Sequence, residues 1–186
     1  MIGSIVLAMA LFSQASPQGE GPECALSDAD IRNNRTLSFS AFDQDGAAPS
    51  SARQLGERGC DAEAAQATED YLLYGPPLTE REKNVLSWHL SQYLAGAGRE
   101  AEAAVVAATT RRAPEDEPDG FDWNTYVLGT WAFLKDDRDR LDEAAAKLAS
   151  APGQRNAMNA RILRRFQKCF DRPYSEAYFG AACAPD

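Results

Sequence analysis

From about residue 50 onward, apolar residues recur at three- and four-residue intervals nearly to the end of the chain, the period of a helix face. Ser50 and Ser51 can cap a short helix that ends at Gly59. A second helix runs from Asp61 to Tyr74 and stops at Gly75-Pro76-Pro77. Thr79 with Glu82 makes a capping box, and a helix follows to about Ala95 with Val85, Leu86, His89, Leu90, Tyr93 and Leu94 on its apolar face. Trp88 stands off that stripe and is the expected exposed aromatic. Glu100 to about Arg111 is the next helix, followed by a Pro-rich acidic loop to Gly120. Asp122 then caps a helix carrying Trp123, Tyr126, Val127, Trp131, Phe133 and Leu134. Asp139 to Ala149 is another, with Leu141, Ala145 and Leu148 on one face. A last helix runs to about Phe170 with Met158, Ile162, Phe166 and Cys169 as its stripe. Residues 171–186 form a tail.

The turns repeat. Gly98 lies in a helix–helix turn, and steps of 39 residues lead back to Gly59 and forward to Asp137. Each follows an apolar helix and precedes an acidic, alanine-rich one. Leu55, Leu94 and Phe133 stand four residues before these positions, and Ala64 and Ala103 five residues after the first two. One helical hairpin cannot bury its own apolar stripe, but stacked neighbours can. The expected fold is all-α, stacked antiparallel helical hairpins over 49–170.

This hairpin pattern resembles the tetratricopeptide repeat. Ser91, Gly98, Ala103, Ala107 and Pro114 fall near that family's offsets, and so do Gly59, Ala64, Tyr71 and Pro76. The unit is longer than usual, and Asp137 stands where glycine is expected. The resemblance covers residues 50–152 and implies a superhelix whose concave groove holds a peptide or protein. The chain also resembles small exported bacterial helical proteins of unassigned function, through its "WNTYVLGTWAFL" helix (123–134) and "CFDRPYSEAY" tail (169–178).

Before residue 49 the pattern changes. Leu37, Phe39 and Ala41 alternate as in a strand, yet no second strand exists to pair with them. An extended segment over 16–48 is expected, lying on the helices and burying Phe39 and Phe42, with a short helix as the alternative. It is either a structural element or a lid on the groove. Residues 1–15 carry no charged side chain and include an apolar run from Ile5 to Phe12, then Ser13-Gln14-Ala15. They read as a signal peptide, too short to span a bilayer, so that the mature chain is periplasmic or secreted. Export gives meaning to an even count of four cysteines, Cys24, Cys60, Cys169 and Cys183. Three pairings are possible. Cys24–Cys60 with Cys169–Cys183 is favoured, because each would tie a terminus to a nearby helix; free buried thiols are the alternative.

A net charge of −9 argues against nucleic acid or an anionic membrane as partner. The exception is the last helix, where Arg161, Arg165, Lys168 and Arg172 recur at helical spacing. Between Arg155 and Arg172 six basic residues face one acid, Asp171. That stripe is either a solvated face, pairing with the acidic loop, or a seat for an acidic partner segment. Trp88 would anchor the same interface. Tyr71, Tyr74, Tyr93, Tyr126 and Trp131 read as packing between hairpins, with a groove lining as the alternative.

His89, the single histidine, reads as a buried, hydrogen-bonded core residue. Asp43 to Gly46 fails as a calcium loop, since Ala41 and Ala52 occupy two ligand positions, and reads as a turn. Glu115, Asp116, Glu117, Asp136 and Asp137 read as solvated acids, and Glu143 with Lys147 as an i,i+4 pair. No catalytic residue, metal or cofactor is expected. The expected function is an exported scaffold that binds a protein or peptide partner in the cell envelope. The alternatives are an inhibitor or immunity-type protein that blocks a toxin or envelope enzyme, and a cell-wall-acting enzyme.

Overall fold

Side-chain caps open some of the helices, and others start without one. The computed structural model describes residues 24–112 and 120–185. In chain order the helices are α1 (Asp28–Asn34), a π-helical turn (Ser40–Gln44), α2 (Ala52–Glu57), α3 (Asp61–Tyr74), α4 (Glu80–Gly96), α5 (Glu100–Thr109), α6 (Trp123–Leu134), α7 (Arg138–Ser150), α8 (Gln154–Lys168), α9 (Tyr174–Phe179) and a 3-10 turn (Ala181–Cys183). No strand occurs among the described residues, and no helix there is long and apolar enough to cross a membrane. The signal-peptide reading of 1–15 and the acids Glu115, Asp116 and Glu117 lie outside the described residues. The Thr79/Glu82 capping box is made in full, and Ser51, Asp122 and Asp137 each accept a backbone N–H at the start of α2, α6 and α7.

The helices stack as antiparallel pairs, α2 with α3, α4 with α5 and α6 with α7, and each second helix also packs on the first helix of the next pair. The three turns within the pairs share one geometry. Gly59, Gly98 and Asp136 all adopt left-handed backbone, at φ of 76°, 78° and 55°. In each turn the next N–H returns to the carbonyl five residues back, Cys60 to Leu55, Arg99 to Leu94 and Asp137 to Ala132, at 2.8–2.9 Å. The third equivalent is therefore Asp136, one residue earlier than the 39-residue step predicts, and the partner of Leu55 and Leu94 is Ala132, not Phe133. Five residues after each turn Ala64, Ala103 and Leu141 are all fully buried.

Alanine forms the inner faces of the second helices. Ala64, Ala65, Ala103, Ala104, Ala144 and Ala145 are buried, and small side chains let neighbouring axes approach. The same need sets Gly129 in α6, where a Cβ would stand 2.6 Å from Leu163 of α8. On α8 the buried line is Asn156, Ala160, Leu163 and Phe166, so Met158 falls outside the core at 56% exposure. The α8 surface is thus rotated from the expected stripe. The cause is Asn156, whose side chain accepts the Asp122 N–H and donates to the Gly120 and Pro152 carbonyls, which a sequence period ranks as polar.

Over residues 24–48 the chain forms α1 and the π-helical turn rather than an extended segment, and residues 16–23 of the expected segment lie outside the described residues. A lone strand would leave its backbone unpaired. Instead Ser38 Oγ accepts the Ala41 N–H, and Asp45 N–H donates to the Ser40 carbonyl at 2.8 Å, closing a π-helical turn. Phe42 is fully buried, stacked on Tyr71 with centroids 4.0 Å apart, and the Tyr71 hydroxyl donates to Leu37 O at 2.7 Å. Arg35 grips Asp70 of α3 with two hydrogen bonds. This segment closes one end of the stack. After α8, α9 folds back to pack on both α8 and α4, with Tyr174 buried. Disulfides Cys24–Cys60 and Cys169–Cys183 fasten the two end segments, in the favoured pairing. They place the chain in an oxidising, non-cytoplasmic environment.

The shared turn geometry makes a paired prediction. A Cβ at Gly98 meets nothing within 4 Å, so Gly98→Ala should cost only the left-handed backbone strain, about 1 kcal/mol. Asp136→Gly should relieve that strain and gain about 0.5–1 kcal/mol. Urea unfolding of the oxidised protein measures both; equal effects of one sign would show that these turns are not equivalent.

Candidate functional site

The Asp43 carboxyl, with no exposed surface, lies against the only histidine. Asp43 ends up there because the π-helical turn projects Phe42 and Asp43 inward together. Its two oxygens stand 2.7 and 2.9 Å from His89 Nδ1, and Gln44 Nε2 also donates to it. With Asp43 accepting, Nδ1 carries the proton and Nε2 is the atom left over. Nε2 has no hydrogen-bond partner among the described residues, and the His89 side chain is 22% exposed. His89 is hydrogen-bonded, as expected, but it is set in a wall rather than sealed in the core.

That wall divides two hollows, both bordered by Arg53 and His89. One, of about 400 Å³, is basic: Arg81, Arg112 and Arg155 join Arg53, with Phe39, Val85 and Trp123 as apolar surface and Glu82 as its acid. Glu82 is already committed to the α4 cap, and its hydrogen bonds with Thr79 hold its carboxyl below the usual range. The Arg112 guanidinium lies 3.7 Å over the Trp123 ring, and its Nε donates to Asn84 Oδ1. Arg155 lies 4.4 Å over Phe121.

The other hollow, of about 220 Å³, lies between α2, α4 and α9 and is lined by Asp61, Tyr93, Tyr174 and Tyr178 among others. Burial raises the Asp61 carboxyl above the usual carboxylate range. Burial, reinforced by the Asp43 charge, pushes the Tyr93 phenol far up, and Tyr71 rises to about 12. These phenols remain protonated at any ordinary pH.

A third cleft, of about 360 Å³, separates α5 from α6 and α7. Ala108, Val127, Leu128 and Trp131 give it an apolar wall, with Arg111 and Arg140 beside them. Arg140 stands 5.7 Å from the Trp131 ring centre and pairs with Asp137 at 3.4 Å.

The residues singled out in the sequence are dispersed. Trp88 is not exposed: at 3% it is locked between Trp123 and Tyr126, with centroids 5.4 and 5.2 Å away. The α4 helix packs against both α3 and α5, so its buried arc is wider than one stripe. The basic stripe of α8 turns largely toward the tail. Arg165 donates to Gly180 O at 2.6 Å, Lys168 to Ala184 O at 2.7 Å, and Arg172 faces Glu176 at 3.7 Å. Arg161 remains on the exposed side. Lys147 reaches Asp122 at 3.2 Å instead of Glu143. Of the five aromatics, Tyr71 and Tyr126 are core, Tyr74 is exposed, and Trp131 and Tyr93 line hollows. Asp43 was missed because its partner lies 46 residues away, and no local period announces such a pair.

Compared with family models, with curated proteins and with solved structures, the chain matches none.

The buried pair carries its own prediction. His89→Ala should leave the Asp43 carboxyl covered with one partner fewer and cost about 3 kcal/mol in urea unfolding. The double variant Asp43→Asn/His89→Ala should recover most of that loss. A His89→Ala cost below about 1 kcal/mol would mean that Asp43 is relieved elsewhere.

Proposed function

We propose that the protein is an exported helical-repeat scaffold that binds a protein or peptide partner in the cell envelope. The observation that carries this reading is the cleft at Trp131, an apolar wall between two helix pairs flanked by Arg111 and Arg140. Its chemistry suits a bulky apolar side chain next to a carboxylate: the apolar group is buried against Val127, Leu128 and Trp131, and a guanidinium fixes the acid. The resemblance of the hairpins to tetratricopeptide repeats, which hold peptides in a groove, supports the same reading. An inhibitor or immunity-type role is the version in which one partner binds tightly and stoichiometrically.

Selection of short displayed random peptides on the oxidised protein tests it. The expected outcome is enrichment of Leu or aromatic residues adjacent to Asp or Glu. Synthetic versions should bind with a change in Trp131 emission, since Trp88 and Trp123 are buried. Replacing the acid by its amide should weaken binding about tenfold, as should Arg111→Glu with Arg140→Glu. Peptides without that pattern, or binding indifferent to the double reversal, would overturn the reading.

One observation favours an enzyme acting on the cell wall as a second reading. His89, held by Asp43, and Asp61, with its raised carboxyl, border the same hollow. There His89 Nε2 would take a proton from water, the water oxygen would add to the scissile centre, and protonated Asp61 would protonate the leaving group. Turnover of purified cell-wall fragments would then fall as pH rises past the raised Asp61 pKa, because the donor has lost its proton. Asp61→Asn would remove turnover. Absence of turnover across the pH range would dismiss it.

A further inference from the structure

We infer that the hollow between α2, α4 and α9 is a binding site for a primary alkylammonium group. Its lining holds acceptors that no donor of the protein satisfies. Asp61, at the start of α3, is partly buried, yet no hydrogen bond or ion pair reaches its carboxyl among the described residues. A Cβ at Gly96 would collide with that carboxyl, so glycine in α4 makes the room it occupies. Tyr174 lines the same hollow and is 2% exposed, and its hydroxyl has no hydrogen-bond partner among the described residues. Gln92 stands near enough to act on that phenol without closing a hydrogen bond to it. His89, with its Nδ1 proton on Asp43, adds an acceptor at Nε2 to this wall.

The charge of the lining points the same way. Arg53 is its cation, and Glu57 stands 4.0 Å from it, which leaves Asp61 as the charge with no counterpart. Asp43, Asp61 and Glu57 all act on the Tyr93 phenol, opposed by Arg53, and the Asp61 charge reaches Tyr174 as well. The remaining surface is aromatic. The Tyr174 and Tyr178 rings lie 5.5 Å apart, and Tyr178 and Phe179 4.6 Å. Ring faces attract a cation, and an alkyl stem packs on the same surface. An anion would be repelled by Asp61, and a quaternary ammonium has no proton to donate. A primary ammonium brings a charge and three N–H donors, which suit a carboxylate, a phenol oxygen and an imidazole nitrogen. The hollow, about 220 Å³, admits a short alkyl chain and little more. This site is separate from the Trp131 cleft, and its failure would leave the partner-binding reading untouched. It shares its hollow with the cell-wall reading but uses Asp61 as a carboxylate rather than as an acid; binding without turnover distinguishes the two.

Calorimetric titration of the full oxidised chain with n-butylammonium chloride, at neutral pH and low salt, tests the inference. The counterparts are n-butanol, which lacks the charge, and tetramethylammonium, which lacks the donors. n-Butylammonium should bind saturably, and each counterpart about tenfold more weakly. Asp61→Asn, nearly the same shape, should weaken n-butylammonium about tenfold with an unchanged circular dichroism spectrum. Tyr174→Phe removes a hydroxyl that has no partner to lose and should weaken it about threefold. Glu143→Gln, on the exposed face of α7, removes as much charge as Asp61→Asn and should change nothing. Blocked lysine, with both backbone ends capped, separates the sources of the group: binding as strong as n-butylammonium supports a lysine side chain of a peptide, and its exclusion supports a free amine. No saturable binding of n-butylammonium, equal binding of either counterpart, unchanged affinity in Asp61→Asn, or an equal loss in Glu143→Gln would overturn the site.

Discussion

Close approach of helices through small side chains is the constraint on which the rest of this structure depends. The second helix of each pair must serve two neighbours, its own partner and the first helix of the next pair. Only alanine-sized faces permit that at ordinary axis spacings. Ala64 and Ala65 in α3, Ala103 and Ala104 in α5, and Ala144 and Ala145 in α7 meet this demand, and Gly129 meets it where α6 lies on α8. The cost is that alanine contributes little apolar area. Beyond Tyr71 of α3 and Leu141 and Leu148 of α7, the larger buried side chains come from the first helices and from the ends. Leu86, Trp88, Leu94, Val127 and Phe133 come from α4 and α6, Phe42 from the leading segment, and Phe166 and Tyr174 from the closing one.

The same constraint explains why the end segments are cross-linked. A stack has an open face at each end, and a short α1, π-helical turn or α9 has too little area to remain docked by burial alone. Cys24–Cys60 and Cys169–Cys183 limit how far each end segment can stray when undocked. Arg35 on Asp70 and Tyr174 N–H on Glu100 then fix the docked orientation. The hollows follow from this arrangement. Both cavities at His89 lie where an irregular end segment meets the regular stack: the π-helical turn contributes Phe39 and Gln44 to one, and α9 contributes Tyr174, Tyr178 and Phe179 to the other.

Legibility followed the range of the interactions. The helix starts that depend on side chains three residues apart, as in Thr79 with Glu82, are legible within a residue or two from α2 onward, whereas α1 is not. The repeat was visible because its turns need left-handed residues, which glycine announces at Gly59 and Gly98; the third hid by one position because Asp136 tolerates the same backbone. The buried face of α8 was misjudged because its first member, Asn156, is polar, and its three hydrogen bonds go to residues in other turns. Trp88 was placed outside for a similar reason: a period identifies one stripe, whereas a helix between two others buries more than one. Chemistry was the least legible part. His89 could be seen, but Asp43 looked like a turn residue, and nothing within several residues of Arg53 or Arg155 suggests that they share a cavity.

This difference in range bears on how the scaffold and its sites relate. A repeat fold distributes its stability over many similar local contacts, each adjustable without disturbing the next. The Asp43–His89 contact is of another kind. It buries a carboxyl completely beside a ring that needs only one of its two nitrogens to satisfy it. An apolar pair of the same shape would hold the π-helical turn to α4 without the desolvation of Asp43. What an apolar pair could not supply is an oriented Nε2 at the boundary of two cavities, one basic and one lined by phenols and the raised Asp61 carboxyl. The burial of Asp43 thus does something that the docking of the π-helical turn alone does not require: it fixes the orientation of His89.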